Sequence, residues 1–167
     1  ELVPKMISQL QDDSQMKVPP RRIEAFDISH LGGTNTVASM VCYIDGKPRK
    51  GEYRKFKVKT VEGIDDFASM REVVFRRYKR VKEEGTGLPD LILIDGGKGQ
   101  LSMAVSALRE LGLDYLPIIG LAKRLEEVFV PGQSDAQSIH KQSPGLILLR
   151  RIRDEAHRFA ITYQKQK

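Results

Sequence analysis

The stretch "LILIDGG" (residues 91–97) joins an uninterrupted apolar run to an acid and two glycines. Four consecutive apolar residues are typical of a central strand that is covered on both faces. A carboxylate at the end of such a strand costs several kcal/mol unless it has a partner, a metal ion or hydrogen-bond donors. Asp95 therefore either caps the turn that follows or belongs to a functional site.

The same combination occurs nearer the start of the chain, in "RRIEAFDISHLGG" (residues 21–33). Asp27 stands near the end of a strand-like run, Arg22–Ile28, and Gly32-Gly33 closes the stretch like a turn. A single acid of this kind is explained equally well by the capping of a turn and by membership of a functional site. Two of them, each ending a strand-like run, favour a shared site.

Hydrophobic periodicity predicts the remaining elements of the chain. In chain order they are strands at 35–44 and 52–60, a helix at 65–84, the strand at 91–95, a helix at 100–112, a strand at 116–122, a short hairpin at 126–139 and a helix at 145–164. Asp45-Gly46 is a strong hairpin signal between two of the strands. Residues 1–20 are weakly periodic and predicted to be a linker or leading arm, and residues 21–167 form the predicted domain.

This element order predicts an α/β fold with a mixed sheet. Three antiparallel strands followed by strand–helix units give a meander joined to parallel strands, with helices on both faces. The order is typical of the ribonuclease H-like fold. In that fold the strand that holds Asp27 and the strand that holds Asp95 are parallel neighbours.

Adjoining strands would bring the two acids close together, because neighbouring strands lie ~4.8 Å apart. Two carboxylates at that distance repel each other and cannot both ionise cheaply. A hard divalent cation with oxygen ligands relieves this repulsion, and Mg²⁺ or Mn²⁺ fits. The sequence therefore predicts that Asp27 and Asp95 are catalytic metal ligands.

A third member of the site is expected from the last helix, in "RIRDEAHRFA" (residues 151–160). On a helix, Asp154, His157 and Arg158 share one face. As a neutral imidazole, His157 either binds the metal ion or takes a proton from the attacking water. Asp65 and Asp66 begin the helix at 65–84, where carboxylates cap free N–H groups and oppose the helix dipole.

Positive charge is in excess, since the net charge is +6 and the pI is about 9.5, which suits a polyanionic partner. "DGGKGQ" (residues 95–100) lacks the spacing and the hydroxyl residue of an ATP-binding P-loop, so its lysine is assigned to a DNA phosphate. The candidate phosphate contacts are Lys98, Lys123, Arg124, Arg150, Arg153, Arg158 and a row of alternating lysines, Lys55, Lys57 and Lys59.

Other classes of protein are disfavoured. A single cysteine, Cys42, permits no internal disulfide and fits a buried thiol in a reducing cytoplasm. One cysteine and scattered histidines make a zinc site improbable, and no G-x-S-x-G elbow is present. No apolar run predicts a membrane span, and no membrane partner is expected. The chain opens on Glu1 without a signal peptide and is expected to be a fragment.

Three motifs carry a family resemblance: "FDISH" (26–30), "LIDGGKGQ" (93–100) and "IRDEAHRFA" (152–160). Together they resemble the C-terminal nuclease domain of the bacterial excinuclease protein UvrC, over residues 20–163. The resemblance implies a ribonuclease H-like, metal-dependent endonuclease that cuts DNA 5′ to a lesion in nucleotide excision repair. The family's catalytic residues match Asp27, Asp95 and His157.

The resemblance has further implications. Asp66 aligns with another acidic position implicated in catalysis, although its place in the sequence favours a helix cap. Damaged double-stranded DNA and, in the full-length protein, the excinuclease protein UvrB are the implied partners. The module for the 3′ cut and the helix-hairpin-helix pair of the family are expected outside this chain, which is expected to be a monomer with little activity alone.

Two alternatives remain open from the sequence. A ribonuclease H-like module that binds DNA or protein without cutting would have the same element order. A basic RNA-binding domain would have a similar charge, although the RRM signature is missing.

Overall fold

The computed structural model describes residues 3–30, 35–61, 63–123 and 127–165, with side chains described up to residue 162. The predicted turn at Gly32-Gly33 and the candidate phosphate contact Arg124 lie outside the described residues. The elements are α1 (Lys5–Asp13), β1 (Arg22–His30), β2 (Thr36–Ile44), β3 (Lys47–Pro48), a 3₁₀ turn (Lys50–Glu52), β4 (Arg54–Lys57), α2 (Asp66–Glu84), β5 (Leu91–Asp95), α3 (Lys98–Glu110), β6 (Ile118–Leu121), β7 (Val128–Phe129) and α4 (Pro144–Lys165).

One mixed sheet holds the seven described strands, in the order β3-β2-β1-β5-β6-β7, with β4 also paired to β2. β1 is parallel to β5 and β5 is parallel to β6, whereas β2 pairs with its neighbours in the antiparallel sense. The predicted α/β, ribonuclease H-like sheet with an antiparallel meander and parallel strands is confirmed. Its first strand and the strand of "LILID" are parallel neighbours, as expected.

Each face of the sheet has its own core. Phe26 and Ile94 belong to a buried cluster with α2 and α3, whereas Ala25 and Leu93 belong to a cluster with α1 and α4. Successive strand residues point to opposite faces, so Asp27 and Asp95 lie on the same face as Ala25 and Leu93. The two acids therefore face α4, the helix that carries His157.

The meander follows the predicted hairpin at its first turn and departs from the prediction afterwards. Asp45 and Gly46 both have positive φ angles, 53° and 83°, which suits a two-residue hairpin turn. The strand predicted at 52–60 is shorter in the structure, where it is β4. The backbone N–H groups of Lys59 and Thr60 donate to the Glu72 carboxylate (2.7 Å each) and not to a neighbouring strand. Beyond β6, the predicted short hairpin is reduced to β7 and a single bridge between Val128 and Gln137.

Residues 1–20 differ from the expected linker, because they contain helix α1. Ile7 and Leu10 are fully buried and belong to the core cluster on the α4 side of the sheet. α1 lies so close to α4 that a Cβ at Gly145 would be 2.8 Å from Leu10 Cα. Two buried positions in nine residues give too weak a pattern to identify the helix from sequence.

Helix α2 has the predicted extent and a nearly complete apolar stripe. Met70, Val74, Tyr78 and Val81 are buried along one face of the helix, whereas Phe67 is 52% exposed. The Phe67 ring lies over Gly99 at the start of α3, where a Cβ would come within 2.3 Å of it. Within the part of the chain that the structure describes, no helix combines the length and apolarity needed to cross a membrane.

Candidate active site

The centre of the site is a pair of carboxylates on neighbouring parallel strands. β1 and β5 pair through Phe26 and Ile94, and the next residue on each strand is Asp27 and Asp95. Asp27 is 3% exposed and Asp95 is 8% exposed. One oxygen of each side chain, Oδ2, is buried without a hydrogen-bond partner among the described residues. Asp95 ends β5, whereas β1 continues for three residues beyond Asp27, so the two acids lie on adjoining strands and only Asp95 stands at a strand end.

Burial and mutual repulsion perturb the titration of the pair. Burial, and after it the neighbouring Asp27 carboxylate, together raise the pKa of Asp95 to about 7, against the opposing effect of Lys123 and Arg153. Burial also raises the pKa of Asp27, which a hydrogen bond from Asp95 partly offsets. Near neutral pH the two groups therefore share a proton and titrate as one unit.

The pair fits a hard divalent cation. Two buried carboxylate oxygens without donors are the ligand type that Mg²⁺ and Mn²⁺ prefer, and a cation would offset their repulsion. Among the described residues, no three His, Cys, Asp or Glu side chains are grouped closely enough to hold a metal ion by themselves. Mg²⁺ commonly takes one or two carboxylates and leaves its other positions to waters and substrate phosphates, so two acids suffice.

His157 approaches the pair from α4. The Ser39 hydroxyl on β2 donates to the Ala156 carbonyl (2.9 Å), which fixes this turn of α4 against the sheet. The next residue, His157, places Nδ1 3.4 Å from Asp27 Oδ2, and its side chain is 54% exposed. The imidazole is thus oriented towards Asp27, at a distance longer than a normal hydrogen bond.

A cavity of about 330 Å³ opens beside the carboxylates and is lined by Asp95, Lys123, Arg153, Asp154 and His157. Lys123 Nζ is 3.9 Å from Asp95 Oδ2, and Arg153 Nη2 is 3.1 Å from Asp154 Oδ1. Two cations and an imidazole beside Asp95 in one cavity suit a phosphodiester, because the cations offset its charge. Of the predicted phosphate contacts, Lys123 and Arg153 lie here.

The other predicted phosphate contacts lie elsewhere. Lys98 begins α3 and lines a separate pocket with Arg109. Arg150 donates to the Lys141 carbonyl (3.0 Å), and Arg158 pairs with Glu155 (2.6 Å). The three alternating lysines do not form one row. Lys55 Nζ lies 4.7 Å from the centre of the Phe159 ring on α4. Lys57 is exposed at the end of β4, and Lys59 lies beyond the end of that strand.

Asp66 does not cap helix α2. The prediction of a helix cap at Asp66, made from its place in the sequence, is therefore wrong. The cap is Asp65, whose carboxylate accepts from Ala68 N (3.0 Å). Asp66 Oδ1 instead accepts from His30 Nε2 (2.8 Å), and the Thr36 hydroxyl is 3.3 Å from His30 Nδ1. The Asp66 charge adds to the burial that raises the pKa of Asp27, so this acid lies close enough to influence the site.

The contact between His30 and Asp66 was not predicted. His30 is three residues beyond Asp27 on β1, so it points to the α2 face of the sheet, where α2 begins. The sequence places His30 near Asp27 but does not indicate that Asp66 is its partner. Cys42, expected to be an inert buried thiol, is buried in β2, and burial raises its pKa to about 11.

A sheet in which two adjoining parallel strands carry neighbouring buried acids, beside a cavity lined with cations, defines a nuclease of the ribonuclease H-like class. A family model described as the UvrC RNase H endonuclease domain matches residues 11–161. The chain belongs to this family.

Similar curated proteins support the same assignment. The chain is 54% identical over 164 residues to the UvrABC system protein C of Cytophaga hutchinsonii, covering 98% of this chain and 28% of that protein. It is 54% identical over 168 residues to the protein of the same name from Salinibacter ruber (99% and 26%) and 57% identical over 147 residues to that of Chlorobaculum tepidum (88% and 23%). The chain spans about a quarter of the length of these relatives.

Solved structures of endonuclease V are more distant. Human endonuclease V is 21% identical, with a TM-score of 0.42 and coverage of 80% of this chain and 57% of that chain. The Bacillus subtilis endonuclease V is 13% identical, with a TM-score of 0.49 and coverage of 95% and 92%. At these scores the fold assignment depends on the strand order of this chain and on its family, and the likeness adds no argument about the site.

Proposed function

We propose that the full-length protein cuts damaged double-stranded DNA on the 5′ side of the lesion in nucleotide excision repair, and that this chain holds the active site for that cut. Family membership supports a nuclease, and the juxtaposition of Asp27 and Asp95 is the observation that carries the proposal. The full-length protein acts in the cytoplasm, together with the excinuclease protein UvrB.

Asp27 and Asp95 would hold a divalent cation, Mg²⁺ or Mn²⁺, since each has a buried oxygen without a hydrogen-bond partner among the described residues. When bound, such an ion supplies Lewis acidity at the phosphate and a lower pKa for the attacking water. Occupation of the site also lets both carboxylates ionise, because the cation offsets the repulsion that raises the pKa of Asp95.

His157 is proposed as the base that takes the proton of the attacking water. Its Nδ1 faces Asp27, so Asp27 favours the tautomer that keeps a proton on Nδ1 and leaves Nε2 able to accept one. Lys123 and Arg153 offset the charge that develops on the phosphate. Hydrolysis by this route leaves 3′-hydroxyl and 5′-phosphate ends.

Incision by the full-length protein and its partner proteins, on a duplex with one lesion and separately labelled ends, tests the proposal. Asp27→Asn is expected to abolish the 5′ cut, and His157→Ala to slow it by about 10²–10⁴-fold, the usual range for loss of a general base. Asp114→Asn, at an exposed carboxylate that pairs with Arg109, is the matched control for loss of one negative charge.

The 3′ cut serves as an internal reference in the same assay, because it is expected to arise from another part of the protein. A chelator is expected to stop the 5′ cut, and Mn²⁺ or Mg²⁺ to restore it. Unchanged 5′ incision in Asp27→Asn and His157→Ala would overturn the proposal.

A further inference from the structure

A second charged concavity lies at the edge of the sheet, between β4 and α2, and is called here the β4–α2 groove. Its volume is about 660 Å³, twice that of the cavity beside the carboxylates. Its walls include Arg54 and Phe56 from β4, and Arg76, Arg77, Lys79 and Arg80 from α2. β4 pairs with β2 alone among the described strands, so the groove opens at the edge of the sheet.

Positive charge is concentrated in this groove. Lys55 also lines the groove, so six of its lining residues are lysine or arginine. Two are glutamate, Glu83 and Glu84. Arg76 and Arg77 are paired with Glu72 and Glu24, so the cations of the groove outnumber these four glutamates by two, in a chain whose net charge is +6. A concave surface with such an imbalance attracts a polyanion and repels cations.

Two of the arginines form a fixed floor. Arg77 Nη2 is 3.1 Å from Glu24 Oε2, and its side chain is 11% exposed against a fully buried glutamate. Arg76 Nη1 is 3.1 Å from Glu72 Oε2, and its guanidinium lies 5.6 Å from the centre of the Phe56 ring. These contacts hold α2 at a set distance from the sheet, so the groove is preformed.

The cations on the rim are held weakly. Lys79 and Arg80 are 55% and 75% exposed, and each contacts a glutamate one turn further along α2, at 3.8 and 2.9 Å. Exposed pairs of this kind contribute little to stability, so a phosphate can replace the glutamate at little cost. Arg54, on the opposite wall, donates only to nearby backbone carbonyls, those of Gly51 and Tyr53, among the described contacts.

The groove lies two strands away from the carboxylate pair and on the other face of the sheet, because α2 packs on the face of Phe26 whereas Asp27 and Asp95 face α4. Asp27 pairs with Ser39 across β1 and β2, and Ser39 pairs with Lys55 across β2 and β4. Two strand spacings separate β4 from β1, which is about 10 Å. A duplex with its scissile phosphate at Asp27 and Asp95 therefore reaches the groove by passing the edge of the sheet at β4.

We propose that the β4–α2 groove binds the sugar–phosphate backbone of the DNA being cut, where the duplex passes the edge of the sheet. The inference depends on the proposed function, since it assumes a DNA substrate at the carboxylate pair. Phosphate contacts of this kind position a duplex without reading its sequence. The groove thereby adds affinity and orientation and leaves the chemical step to the carboxylates.

The test is the affinity of the full-length protein for a fluorescent duplex, measured by anisotropy over a series of salt concentrations. The groove variant Lys79→Gln/Arg80→Gln is expected to bind severalfold more weakly. It is also expected to reduce the slope of log K against log salt by about 1 for each lost phosphate contact. Arg54→Gln, on the other wall, is expected to act in the same direction, so the result does not depend on one helix.

Lys17→Gln/Arg109→Gln is the matched control, because it removes the same net charge at exposed positions away from the groove. It is expected to keep the wild-type slope. Groove variants that match this control in affinity and slope would overturn the proposal. Unchanged DNA affinity with weaker binding to UvrB would also overturn it, and would indicate an acidic protein segment as the occupant.

Incision separates this proposal from the proposed function. At saturating DNA the groove variants are expected to keep the wild-type rate of 5′ incision, because no groove residue contacts the reacting atoms. Asp27→Asn is expected to lose incision and keep the wild-type salt slope. If Asp27→Asn still cuts, the proposed function fails, whereas the binding measurements continue to report on the groove.

Discussion

At the scale of single residues, the carboxylate pair weakens the fold that holds it. The pKa of Asp95 is raised to about 7 by burial and by Asp27, from an ordinary value of 3.8. The folded chain therefore binds more protons than the unfolded chain between these two pH values, and the free energy of unfolding falls as the pH rises through that interval. When no cation is bound, this loss in the free energy of unfolding is fully present above pH 7.

The first prediction concerns Asp95→Asn, which removes the second negative charge and keeps the shape of the side chain. At pH 8 in a chelator, we expect the free energy of unfolding to rise by about 1–4 kcal/mol, because one pKa unit corresponds to about 1.4 kcal/mol. The amide also donates a hydrogen bond to Asp27. Urea unfolding of this chain at pH 8 and at pH 4.5 gives the comparison.

The stability that Asp95→Asn gains over wild type is expected to be smaller at pH 4.5, because the wild-type Asp95 is already protonated in the folded chain at that pH. Asp114→Asn, at the exposed pair with Arg109, controls for the loss of one carboxylate and is expected to be nearly neutral at both pH values. A variant less stable than wild type at pH 8 would contradict a repulsive pair.

At the scale of elements, the position of Asp95 depends on how closely β6 approaches the turn after β5. A Cβ at Gly120 on β6 would lie 3.0 Å from the Gly96 carbonyl oxygen and 3.4 Å from Leu101 Cβ. Gly96 follows Asp95 directly, and its N–H donates to the Leu121 carbonyl (3.0 Å). The glycine on β6 therefore allows this turn to lie flat against the strand and to hold the carboxylate in place.

The second prediction is that Gly120→Ala displaces this turn. The added methyl group meets backbone, which can move only by shifting the residues next to Asp95, so we expect a loss of about 1–3 kcal/mol in stability. We also expect a disproportionate loss of 5′ incision, since small displacements of a ligand residue are costly for catalysis. Urea unfolding and the incision assay provide the two measurements.

Gly87→Ala is the control for adding a methyl group, because no atom would lie within 4 Å of its Cβ and the residue is exposed. Its stability is expected to stay within about 0.5 kcal/mol of wild type. If Gly120→Ala behaves like Gly87→Ala in both measurements, the turn is not held by β6.

At the scale of the whole molecule, the sequence predicts features whose signal is local and repetitive. The apolar run of β5 and the periodicity of α2 identify elements, and the order of elements selects the sheet and its parallel pair of acids. Contacts between distant segments are beyond this kind of reasoning. Two successive acids, Asp65 and Asp66, both satisfy the pattern of a helix cap, and only the packing of α2 shows that one caps and the other contacts His30.

The β4–α2 groove and helix α1 were missed for the same reason. The cations of the groove are spread over two segments of the sequence, and most are spaced as ordinary surface charges of a helix. α1 follows a weak pattern because the cluster that buries it is formed mostly by distant residues, among them Leu146 and Leu149 of α4. In both cases the residues that would identify the feature are far apart in the sequence and come together only when the chain folds.

The third prediction concerns helix α1 and the unity of the fold. Leu10 is fully buried against α4, the helix that carries His157, so Leu10→Ala is expected to cost about 2–5 kcal/mol in the free energy of unfolding. Val18→Ala, at a 52% exposed position in the same leading segment, is the control and is expected to stay within about 0.5 kcal/mol. Urea unfolding of this chain measures both. A loosely attached arm would make the two variants equal, whereas a large and specific loss in Leu10→Ala would mean that α1 is part of the structure that supports His157.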